Sequence, residues 1–441
     1  MSSLNETLGV AWHYLAARRL QRLRTREQIQ AHQQRRWHAM HARIADASPF
    51  YAAYRQLPLA QWPLMEKREW MHHFDTINTA GITLSQAYAL AEQAERTRNF
   101  RPGLGNVTVG LSTGTSGARG VFLASRSERQ RWAATLLAKL LPGGVLARER
   151  VALLLRAGSN LYDTVHGARL QFRYVDLLQP FEQVLRQLET YDPTILVGPA
   201  QALALVASAQ ANSTTHITPR RIISAAEVLD PLDRAVMERT WNVRVEQIYQ
   251  ATEGFLGQTC AHGTIHLNED CIILERDWID RTHRRFVPII TDLYRFTQPV
   301  VRYRLNDVLI ERATACPCGS AHVALEQIEG REDDIVWLHD AANAKLRPVF
   351  ADSLARIVLN ADAAIRDYQI EQCDVQSLSI ATEPAPDINR EQAIRSALAT
   401  FFVTLQISVP TIVFGAMPEH ELGSKRRRVR GLAALRDQKH A

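Results

Sequence analysis

A chain of 441 residues is too long for one small domain, so we expect two or more domains with large hydrophobic cores. Hydrophobic residues make up 46% of the chain and charged residues 22%, and the net charge is +6, which is typical of a soluble globular protein. The chain contains no run of eighteen apolar residues, so we expect no membrane span. It contains five cysteines, and this odd number argues against a disulfide framework.

The first 45 residues predict one or two long helices, because leucine and tryptophan recur near helical spacing among arginine, glutamine and alanine. The apolar stretch 8–17 contains His13 and leads into Arg18 and Arg19, which is unlike the core of a secretory signal. We therefore expect a cytoplasmic protein.

Positive charge concentrates near both ends of the chain. The residues concerned are Arg18, Arg19, Arg22, Arg24, Arg26, Arg35, Arg36 and Arg43, and then Lys425, Arg426, Arg427, Arg428 and Arg430. They could bind nucleic acid or an acidic protein, or form a solvated helix face and a mobile tail. No RNP, zinc-finger or heptad pattern accompanies the charge. We therefore favour a solvated helix face and a mobile tail, and we do not expect nucleic acid as a partner.

From about residue 105, short apolar runs alternate with longer amphipathic stretches, which predicts an α/β domain. Ser125 stands three residues before Glu128 and predicts a capping box that opens a helix. The predicted strands are 107–111, 121–124, 151–155, 194–197 and 221–224, and the predicted helices are 127–141, 181–190 and 200–211. Residues 264–310 favour further strands.

After Gly330 the pattern changes to that of a compact α+β unit. In chain order it predicts a strand at 335–338, a hairpin, a helix near 351–359, a strand near 368–380, a helix at 390–404 and a strand at 411–414. The predicted fold is therefore α/β, with a large domain of mixed sheets and helices over 1–330 and a small, mobile α+β domain over 331–441.

The stretch from Leu111 to Gly120, L-S-T-G-T-S-G-A-R-G, places four hydroxyl residues and three glycines between two predicted strands. Bare backbone N–H groups and hydroxyls suit a phosphate, although a flexible turn is the alternative. The spacing matches neither a Walker A loop nor the dinucleotide fingerprint.

Four more motifs follow in order: Y-Q-A-T-E-G at 249–254, V-R-Y-R-L-N-D at 301–307, G-R-E-D-D at 330–334 and G-S-K at 423–425. Together with the glycine-rich stretch, this ordered set resembles the acyl-adenylate-forming superfamily over nearly the whole chain. Each motif is weak alone, and their order carries the resemblance.

Three phrases resemble the phenylacetate–CoA ligase branch of that superfamily: S-P-F-Y at 48–51, P-V-V-R-Y-R-L-N-D at 299–307 and C-P-C-G at 316–319. Within the branch, the chain looks most like coenzyme F synthetase-related proteins, which include a griseoluteate-activating enzyme. The resemblance implies that an aryl or hydroxyaryl carboxylic acid reacts with ATP to give acyl-AMP, and that a thiol then accepts the acyl group.

The resemblance also implies roles for the glycine-rich stretch and the T-E-G motif. The β- and γ-phosphates would be held by Ser112, Thr113, Gly114, Thr115, Ser116 and Gly117. Arg119 stands where the superfamily usually has a lysine, and its planar guanidinium differs from an ammonium group. Thr252 would contact the α-phosphate, and Glu253 would bind Mg²⁺ through carboxylate oxygen.

By the same resemblance, Tyr249 would lie against the adenine, and the segment containing Ala226 and Glu227 would line the adenine pocket. Asp307 would accept hydrogen bonds from both ribose hydroxyls, a role that suits a carboxylate. The alternative for Glu253 is a surface acid, and for Asp307 a turn residue.

Lys425 would swing in from the end of the small domain and bridge the acyl carboxylate and the α-phosphate. The alternative is that it is one of several tail charges. Arg331 and Asp333 would lie at the hinge about which the small domain rotates between adenylation and thiol transfer.

Two cysteine- and histidine-containing segments predict a zinc site. Cys260, Cys316 and Cys318 are natural thiolate ligands, and either His262 or His266 could complete a tetrahedral set. We choose His266, because it precedes L-N-E-D in a phrase that resembles one in the branch. With no open position the metal would be structural, and the alternative is four unliganded residues.

The segment 154–166 follows a predicted strand and has the right place for an acyl-binding loop. Its candidate substrate contacts are Arg156, Asn160, Tyr162 and His166. The acceptor stays open between CoA and the phosphopantetheine arm of an acyl carrier protein, and a homodimer is a further open alternative.

Three functions therefore remain to be distinguished. The leading one is an ATP- and Mg²⁺-dependent aryl acid–thiol ligase with a structural Zn²⁺. The others are an adenylate-binding or adenylate-forming protein that transfers to another nucleophile or to none, and a basic nucleic-acid-binding protein whose affinity would fall steeply with salt.

Overall fold

The computed structural model describes residues 2–100, 102–111, 119–141, 143–144, 147–155, 169–343, 345–418 and 427–432. The chain divides into two compact units. The larger comprises Met1–Leu305 with Glu311–Glu326, and the smaller comprises Asn306–Ile310 with Gln327–Ala441. These units differ from the predicted bounds of 1–330 and 331–441 at 306–310 and 327–330, which belong to the smaller unit.

The larger unit contains mainly helices before residue 100 and alternating strands and helices after it. Its helices are α1 (Ser2–Leu20), α2 (Arg26–Ala47), α3 (Lys67–His72), α4 (Phe74–Ile77), α5 (Leu84–Thr97), α6 (Arg126–Leu140), α7 (Phe181–Tyr191), α8 (Ala200–Ala211) and α9 (Pro231–Trp241). Its strands are β1 (Val107–Leu111), β2 (Val121–Ser125), β3 (Glu149–Leu155), β4 (Leu170–Asp176), β5 (Ile195–Gly198), β6 (Arg221–Ala225), β7 (Val245–Ala251), β8 (Gly254–Thr259), β9 (Ile265–Leu267), β10 (Ile272–Asp280), β11 (Arg285–Asp292) and β12 (Tyr303–Arg304). The chain passes between the units within β13 (Asp307–Glu311) and β14 (Ala324–Arg331).

A mixed sheet forms the centre of the larger unit, in the order β14-β9-β8-β7-β6-β5-β3-β4. The strands from β4 to β7 are parallel, and β8 and β9 are antiparallel to their neighbours. Parallel strands covered on both faces need continuous apolar runs, as in V-A-L-L-L at 151–155. The mixed α/β fold predicted from the sequence is confirmed.

Helices α7, α8 and α9 cover this sheet over a core of fully buried side chains that includes Leu154, Val175, Leu188, Leu203 and Ile222. Each such side chain contributes about 1.5–3 kcal/mol to the free energy of folding. Helices α1 and α6 contribute Val10, Ala134 and Leu137 to a second core cluster, and Leu141, which directly follows α6, also belongs to it. The long N-terminal helices, the strands and the helices predicted for this unit are all present, and their ends differ by one or two residues in most cases.

Capping boxes open α2, α5 and α6. Thr25 accepts from the backbone N–H of Gln28 at the start of α2, and Ser125 accepts from that of Glu128 at the start of α6. The capping box of α6 confirms the sequence prediction. Because Ser125 is also the last residue of β2, the box fixes the angle at which the strand enters the helix.

The smaller unit is an α+β structure with two sheets. Its remaining elements are β15 (Val336–His339), β16 (Leu346–Val349), α10 (Ala351–Ala361), β17 (Asp367–Asp374), β18 (Ser377–Glu383), α11 (Ile388–Thr404), β19 (Thr411–Phe414) and β20 (Val429–Arg430). β15 pairs with β16, and the second sheet has the order β19-β18-β17-β20. The single strand predicted at 368–380 is wrong, since the chain turns at 375–376 to form a hairpin of two strands.

Several arginines of the two basic segments bind groups within their own unit. Arg26 pairs with Glu269, and the guanidinium of Arg36 lies 4.3 Å from the ring centroid of Tyr294. Arg428 pairs with Asp367 at 3.0 Å, immediately before β20. The interpretation of the C-terminal basic run as a mobile tail is therefore wrong for residues 427–430. No helix in the described part of the chain is long and apolar enough to cross a membrane.

A buried ion pair anchors α6 to the segment before β10. The Lys139 ammonium donates to Asn268 Oδ1 and to Asp270 Oδ1, each at 2.8 Å, and both ionised side chains are at most 4% exposed. Burial alone would raise the pKa of Asp270, but the Lys139 charge holds that pKa below its ordinary value. The pair thus contributes stability above the pKa of Asp270 in the unfolded chain, and that contribution is lost as pH falls through the lower pKa in the folded state.

Replacing Lys139 with Met should lower the free energy of unfolding at pH 7 by about 3–5 kcal/mol, because Asp270 is left charged, buried and unpaired. The difference in free energy of unfolding between the variant and the unmodified protein should decrease on acidification, because protonation of Asp270 removes the unpaired charge in the variant. The double variant Lys139→Met/Asp270→Asn should be more stable than the single one. Urea unfolding of the three proteins across pH checks this, and equal stability of both variants at every pH would contradict it.

Candidate active site and metal centre

The ends of β6 and β7 bring two predicted motifs to one edge of the sheet. In the parallel register Ala225, the last residue of β6, lies opposite Ile248, and β7 continues to Ala251, so both strands end at the same edge of the sheet. Ala226 and Glu227 follow β6, and the T-E-G motif follows β7. Parallel α/β sheets bind ligands at the carboxyl ends of their strands, which is the edge that these residues occupy.

Backbone strain marks the turn after β6. Ala226 has a φ of 68°, a left-handed conformation that a residue with a Cβ atom adopts at a cost of about 1–3 kcal/mol. Glu227 accepts a hydrogen bond at 3.4 Å from the backbone N–H of Gln201, in the first turn of α8. A carboxylate is favoured at a helix N-terminus, so this contact helps to hold the strained turn. No sequence pattern indicated the strain.

Thr252 and Glu253 form the tip of a tight turn. Ala251 pairs with Gly254 across β7 and β8, which leaves only these two residues between the strands, and both are partly exposed. Tyr249 on β7 is 7% exposed, so little of its ring is accessible to a ligand in this conformation. Arg295 donates to the Thr252 carbonyl at 2.7 Å and supports the turn from behind.

The β1–β2 hairpin carries the glycine-rich stretch. Leu111 pairs with Val121, so the strands close the base of the loop. The predicted phosphate contacts Ser112, Thr113, Gly114, Thr115, Ser116 and Gly117 lie outside the described residues. The same holds for the predicted acyl contacts Arg156, Asn160, Tyr162 and His166, which follow β3, and for Lys425.

Arg119, which stands at the position of the usual lysine, forms an ion pair with Glu95 on α5, with Nη1 and Oε2 2.7 Å apart. The hydrogen bond with Glu95 raises the pKa of Arg119 above its ordinary value. Its carbonyl accepts from the Tyr88 hydroxyl. In this arrangement the guanidinium neutralises a carboxylate and anchors the end of the loop to α5.

In the smaller unit, Asp307 and Arg331 lie together, with Oδ1 and Nε 3.8 Å apart. Arg427, two residues after Lys425, donates to Asp334 at 2.6 Å and to the Asp333 carbonyl at 2.8 Å. Burial raises the pKa of Asp334, although the Arg427 charge opposes the shift. The predicted hinge motif G-R-E-D-D thus holds the base of the segment that carries Lys425.

Cys260, His266, Cys316 and Cys318 form a cluster whose four candidate ligand atoms all lie within 4.8 Å of one another. The Sγ atoms of Cys260 and Cys316 are 3.7 Å apart, and Cys318 Sγ is 3.3 Å from His266 Nε2. Tetrahedral Zn²⁺ with ordinary bond lengths would place two thiolates about 3.8 Å apart, so the donor set fits this metal. His262 is exposed and lies outside the cluster.

The surroundings of His266 select the nitrogen that can bind a metal. Its Nδ1 lies 3.2 Å from the His322 carbonyl, which can only accept a hydrogen bond, so Nδ1 carries the proton and Nε2 is left with its lone pair. The Glu269 carboxylate accepts a hydrogen bond from the backbone N–H of Val323 at 2.7 Å, which holds the neighbouring His322 carbonyl in place. Sequence reasoning missed Glu269 and His322 as supports of the cluster.

The thiols of the cluster do not ionise alike. Burial acts against ionisation of both, but hydrogen bonds from Thr264 and the Cys318 backbone lower the pKa of Cys316 to about 6. Burial and the neighbouring sulfur atoms raise the pKa of Cys318 to about 11. A cation among the three thiols would remove this conflict, because it stabilises every thiolate at once.

The sequence matches no protein-family model and no curated protein. The fold is similar to that of 2-hydroxyisobutyryl-CoA ligase in the postadenylation state with 2-HIB-AMP, at a TM-score of 0.67 and 14% identity, covering 95% of this chain and 92% of that one. The anthranilate–CoA ligase AuaEII in complex with anthranoyl-AMP matches at 0.50 and 13% identity, over 72% and 64% of the two chains. The amide bond synthetase McbA from Marinactinospora thermotolerans matches at 0.52 and 11% identity, over 77% and 71%.

These matches show that the chain has the fold of adenylate-forming ligases, with a large mixed-sheet unit and a smaller unit. The superfamily predicted from the ordered motifs is the one to which the matching structures belong. At 11–14% identity the likeness concerns the fold, and the activity of this chain is a separate inference from its residues.

Proposed function

We propose that this protein is an ATP-dependent ligase that activates an aryl carboxylic acid, in particular a hydroxyaryl acid, and transfers it to a thiol. The substrate carboxylate attacks the α-phosphorus of ATP, the bond to the β-phosphate breaks, and pyrophosphate leaves. A thiolate then attacks the acyl carbon of acyl-AMP, and AMP leaves. The observation that carries the proposal is the placement of the motifs at 224–227 and 249–254 at one strand edge of an adenylate-forming fold.

In this proposal the protein binds the phosphates of ATP with hydrogen-bond donors and binds the accompanying Mg²⁺ with a carboxylate. The stretch 112–117 supplies backbone N–H groups and hydroxyls to the β- and γ-phosphates. Thr252 contacts the α-phosphate, Ala226 and Glu227 line the adenine pocket beside Tyr249, and Glu253 holds Mg²⁺. The cation supplies charge neutralisation at the phosphates, and its fit rests on a partly exposed carboxylate at the tip of a tight turn.

The smaller unit contributes a ribose ligand and a lysine cation. Asp307 accepts from the ribose hydroxyls, and Arg331 beside it belongs to the hinge. Lys425 bridges the substrate carboxylate and the α-phosphate. Support comes from Arg427, whose two hydrogen bonds to Asp333 and Asp334 tie the base of the lysine segment to the hinge motif. The two proposed domains are 1–330, with the nucleotide, acyl and metal sites, and 331–441, the lid. Asp307 lies in the first of these by sequence, although the structure groups residues 306–310 with the smaller unit.

The phenylacetate–CoA ligase branch, with its coenzyme F synthetase-related members, is our proposal for the closer relationship. It rests on the phrases at 48–51, 299–307 and 316–319. It favours an aryl substrate contacted by Arg156, Asn160, Tyr162 and His166, and CoA or an acyl carrier protein as acceptor in the cytoplasm. An anthranilate–CoA ligase among the matching structures agrees with an aryl acid.

Transfer to an amine is the second candidate, because an amide bond synthetase shares the fold. Both candidates form acyl-AMP first and differ only in the acceptor. CoA, a phosphopantetheinylated carrier protein and simple amines should be compared as acceptors of the preformed adenylate. Thioester formation supports the leading candidate, and amide formation without thioester supports the second.

We also propose that Cys260, His266, Cys316 and Cys318 hold Zn²⁺ in a structural role. Four protein ligands leave no open position for substrate. The metal would tie the end of β8, which Cys260 follows, to the segment 316–318 and to β9, which contains His266. It would supply rigidity to the strand whose other end carries the T-E-G turn.

Carboxylate-dependent exchange of labelled pyrophosphate into ATP, measured over a panel of aryl acids, tests the proposed adenylation. Lys425→Ala should lower the exchange rate about 10²–10³-fold, since it removes a charge that acts on the reacting phosphate, and should leave ATP affinity nearly unchanged. Asp307→Ala should weaken ATP binding about tenfold through the lost ribose contacts.

The matched control is Lys345→Ala, an exposed lysine of the same unit, which should leave both properties unchanged. Equal loss of rate and of ATP affinity in the Lys425 and Asp307 variants would contradict the assigned roles. No exchange with any acid in the unmodified protein would reject adenylation.

The purified protein should retain about one equivalent of Zn²⁺, measured by metal analysis, and lose thermal stability when a strong chelator removes the metal. Cys318→Ser should abolish retention, while Cys373→Ser, on an exposed thiol of β17, should not. Cobalt substitution should give thiolate-to-metal charge-transfer absorption that Cys318→Ser weakens. Equal metal content in the two variants would rule the cluster out as the zinc site.

A further inference from the structure

Residues 292–298, which begin at the last residue of β11, hold β2, the strand that follows the glycine-rich stretch. Gln298 accepts from the Leu123 N–H at 2.8 Å through Oε1 and donates to the Val121 carbonyl at 3.3 Å through Nε2. Its side-chain amide therefore pairs with β2 much as a neighbouring strand would. Gln298 is 1% exposed, so this pairing is shielded from water.

Glu128 holds the other end of β2 to the same segment. One carboxylate oxygen accepts from the Ser125 N–H at 2.6 Å, and the second accepts from the N–H groups of Phe296 and Thr297 at 2.6 and 2.8 Å. Burial alone would raise the pKa of Glu128, but these hydrogen bonds hold it below its ordinary value. The helix cap of α6 is thus also a link between β2 and residues 296–297.

Arg295 extends this connection to the T-E-G turn. Its Nη1 donates to the Thr252 carbonyl at 2.7 Å, and its Nη2 donates to the Leu123 carbonyl at 3.2 Å and to Gln298 Oε1 at 3.4 Å. The backbone of Arg295 is set by Asp292, whose Oδ1 accepts from the Tyr294 and Arg295 N–H groups. One guanidinium therefore joins β2 to the T-E-G turn, two segments that are far apart in sequence.

The T-E-G turn also packs closely on this segment at its glycine. A Cβ atom added to Gly254 would lie 3.1 Å from Asp292 Oδ2, a distance that would force the carboxylate to move. Glycine thus allows the turn to sit against Asp292, in addition to the hydrogen bond from Arg295. The two contacts hold the turn from its carbonyl side and from its glycine.

We infer that Arg295 is a positioning residue of the nucleotide site, which sets the spacing between β2 and the turn that carries Thr252 and Glu253. The inference deepens the proposed function and rests on it for the identity of the ligand. In that function the loop before β2 would hold the β- and γ-phosphates, and Glu253 would hold the Mg²⁺ ion that neutralises phosphate charge. A fixed spacing between the two supports is required, because displacement by about 1 Å can cost about 100-fold in rate.

Arg295 acts through its neighbours and does not need to touch ATP. A planar guanidinium offers donors in fixed directions and can reach two carbonyls on different strands at once. A lysine at this position can reach only one of them with similar geometry. Loss of Arg295 should therefore change the Mg²⁺ concentration that the reaction requires, because the affinity for Mg²⁺ depends on the position of Glu253.

The test compares Arg295→Met and Arg295→Lys with Arg150→Met. Arg150 is a matched control, since it also donates to backbone carbonyls in the larger unit, those of Tyr191 and Asp192, and contacts neither β2 nor the T-E-G turn. In the pyrophosphate exchange assay, Arg295→Met should raise the half-saturating Mg²⁺ concentration about 5–10-fold and lower kcat. For Arg295→Lys, the half-saturating Mg²⁺ concentration and kcat should lie between those of Arg295→Met and those of the unmodified protein. Arg150→Met should leave the half-saturating Mg²⁺ concentration unchanged.

Amide hydrogen exchange of the ligand-free proteins provides a second measurement that needs no turnover. Arg295→Met should increase exchange about fivefold or more in peptides covering 121–125 and 250–256, with the rest of the sheet unchanged. An unaltered Mg²⁺ requirement, or exchange that rises uniformly over the larger unit, would overturn the inference. If the unmodified protein shows no pyrophosphate exchange, the proposed function fails, and hydrogen exchange alone then decides whether Arg295 joins the two segments.

Discussion

Parallel hydrogen bonding between β6 and β7 is the constraint on which the candidate active site depends. With Ala225 opposite Ile248, the turn after each strand must emerge at the same edge of the sheet. The strand β5 ends at this edge as well, since Gly198 lies opposite Ser224. Everything proposed for nucleotide binding in the larger unit follows from this shared edge together with the nearby β1–β2 hairpin.

The hairpin is not a member of the central sheet, so its placement must come from side chains. Val121 and Leu123 pack in an apolar cluster with Phe74 and Ala87. Glu128, Arg295 and Gln298 add hydrogen bonds from side chain to backbone. Such bonds are directional and, when buried, costly to break. They hold a separate two-stranded element in place, as the proposed phosphate site would require.

A second set of contacts involves both ends of β8. Asn268 accepts from Lys139 and donates to the Phe255 carbonyl, and Cys260 directly follows the strand. The T-E-G turn and the cysteine cluster are therefore the two ends of one six-residue strand. This arrangement would give the proposed zinc a physical purpose, because a metal bound there would stabilise the strand from which the Glu253 turn extends.

Much of the fold could be predicted from the sequence because its signals are local. Apolar periodicity located most of the strands and helices, and Ser125 with Glu128 indicated a helix start within four residues. The strand 411–414 was predicted with its observed ends. The prediction failed at 368–380, where the tight turn at 375–376 contains no glycine or proline to mark it.

The motifs of the candidate site could be predicted from the sequence, but the residues that hold those motifs in place could not. Glu253 and His266 stand in recognisable phrases, whereas Arg295 acts on partners 43 and 172 residues away. Its role depends on tertiary pairing that no spacing along the chain reveals. The same applies to Arg427, which the sequence indicates only as part of a basic run, and whose partner Asp334 lies 93 residues before it.

The central claim is that distant segments converge on one bound nucleotide. Amide hydrogen exchange of the unmodified protein with and without MgATP tests it most directly. The account predicts that peptides covering 108–125, 222–229, 249–256 and 302–310 become protected together at the same nucleotide concentration. Protection confined to one of these segments, or absent from all of them at saturating MgATP, would contradict it.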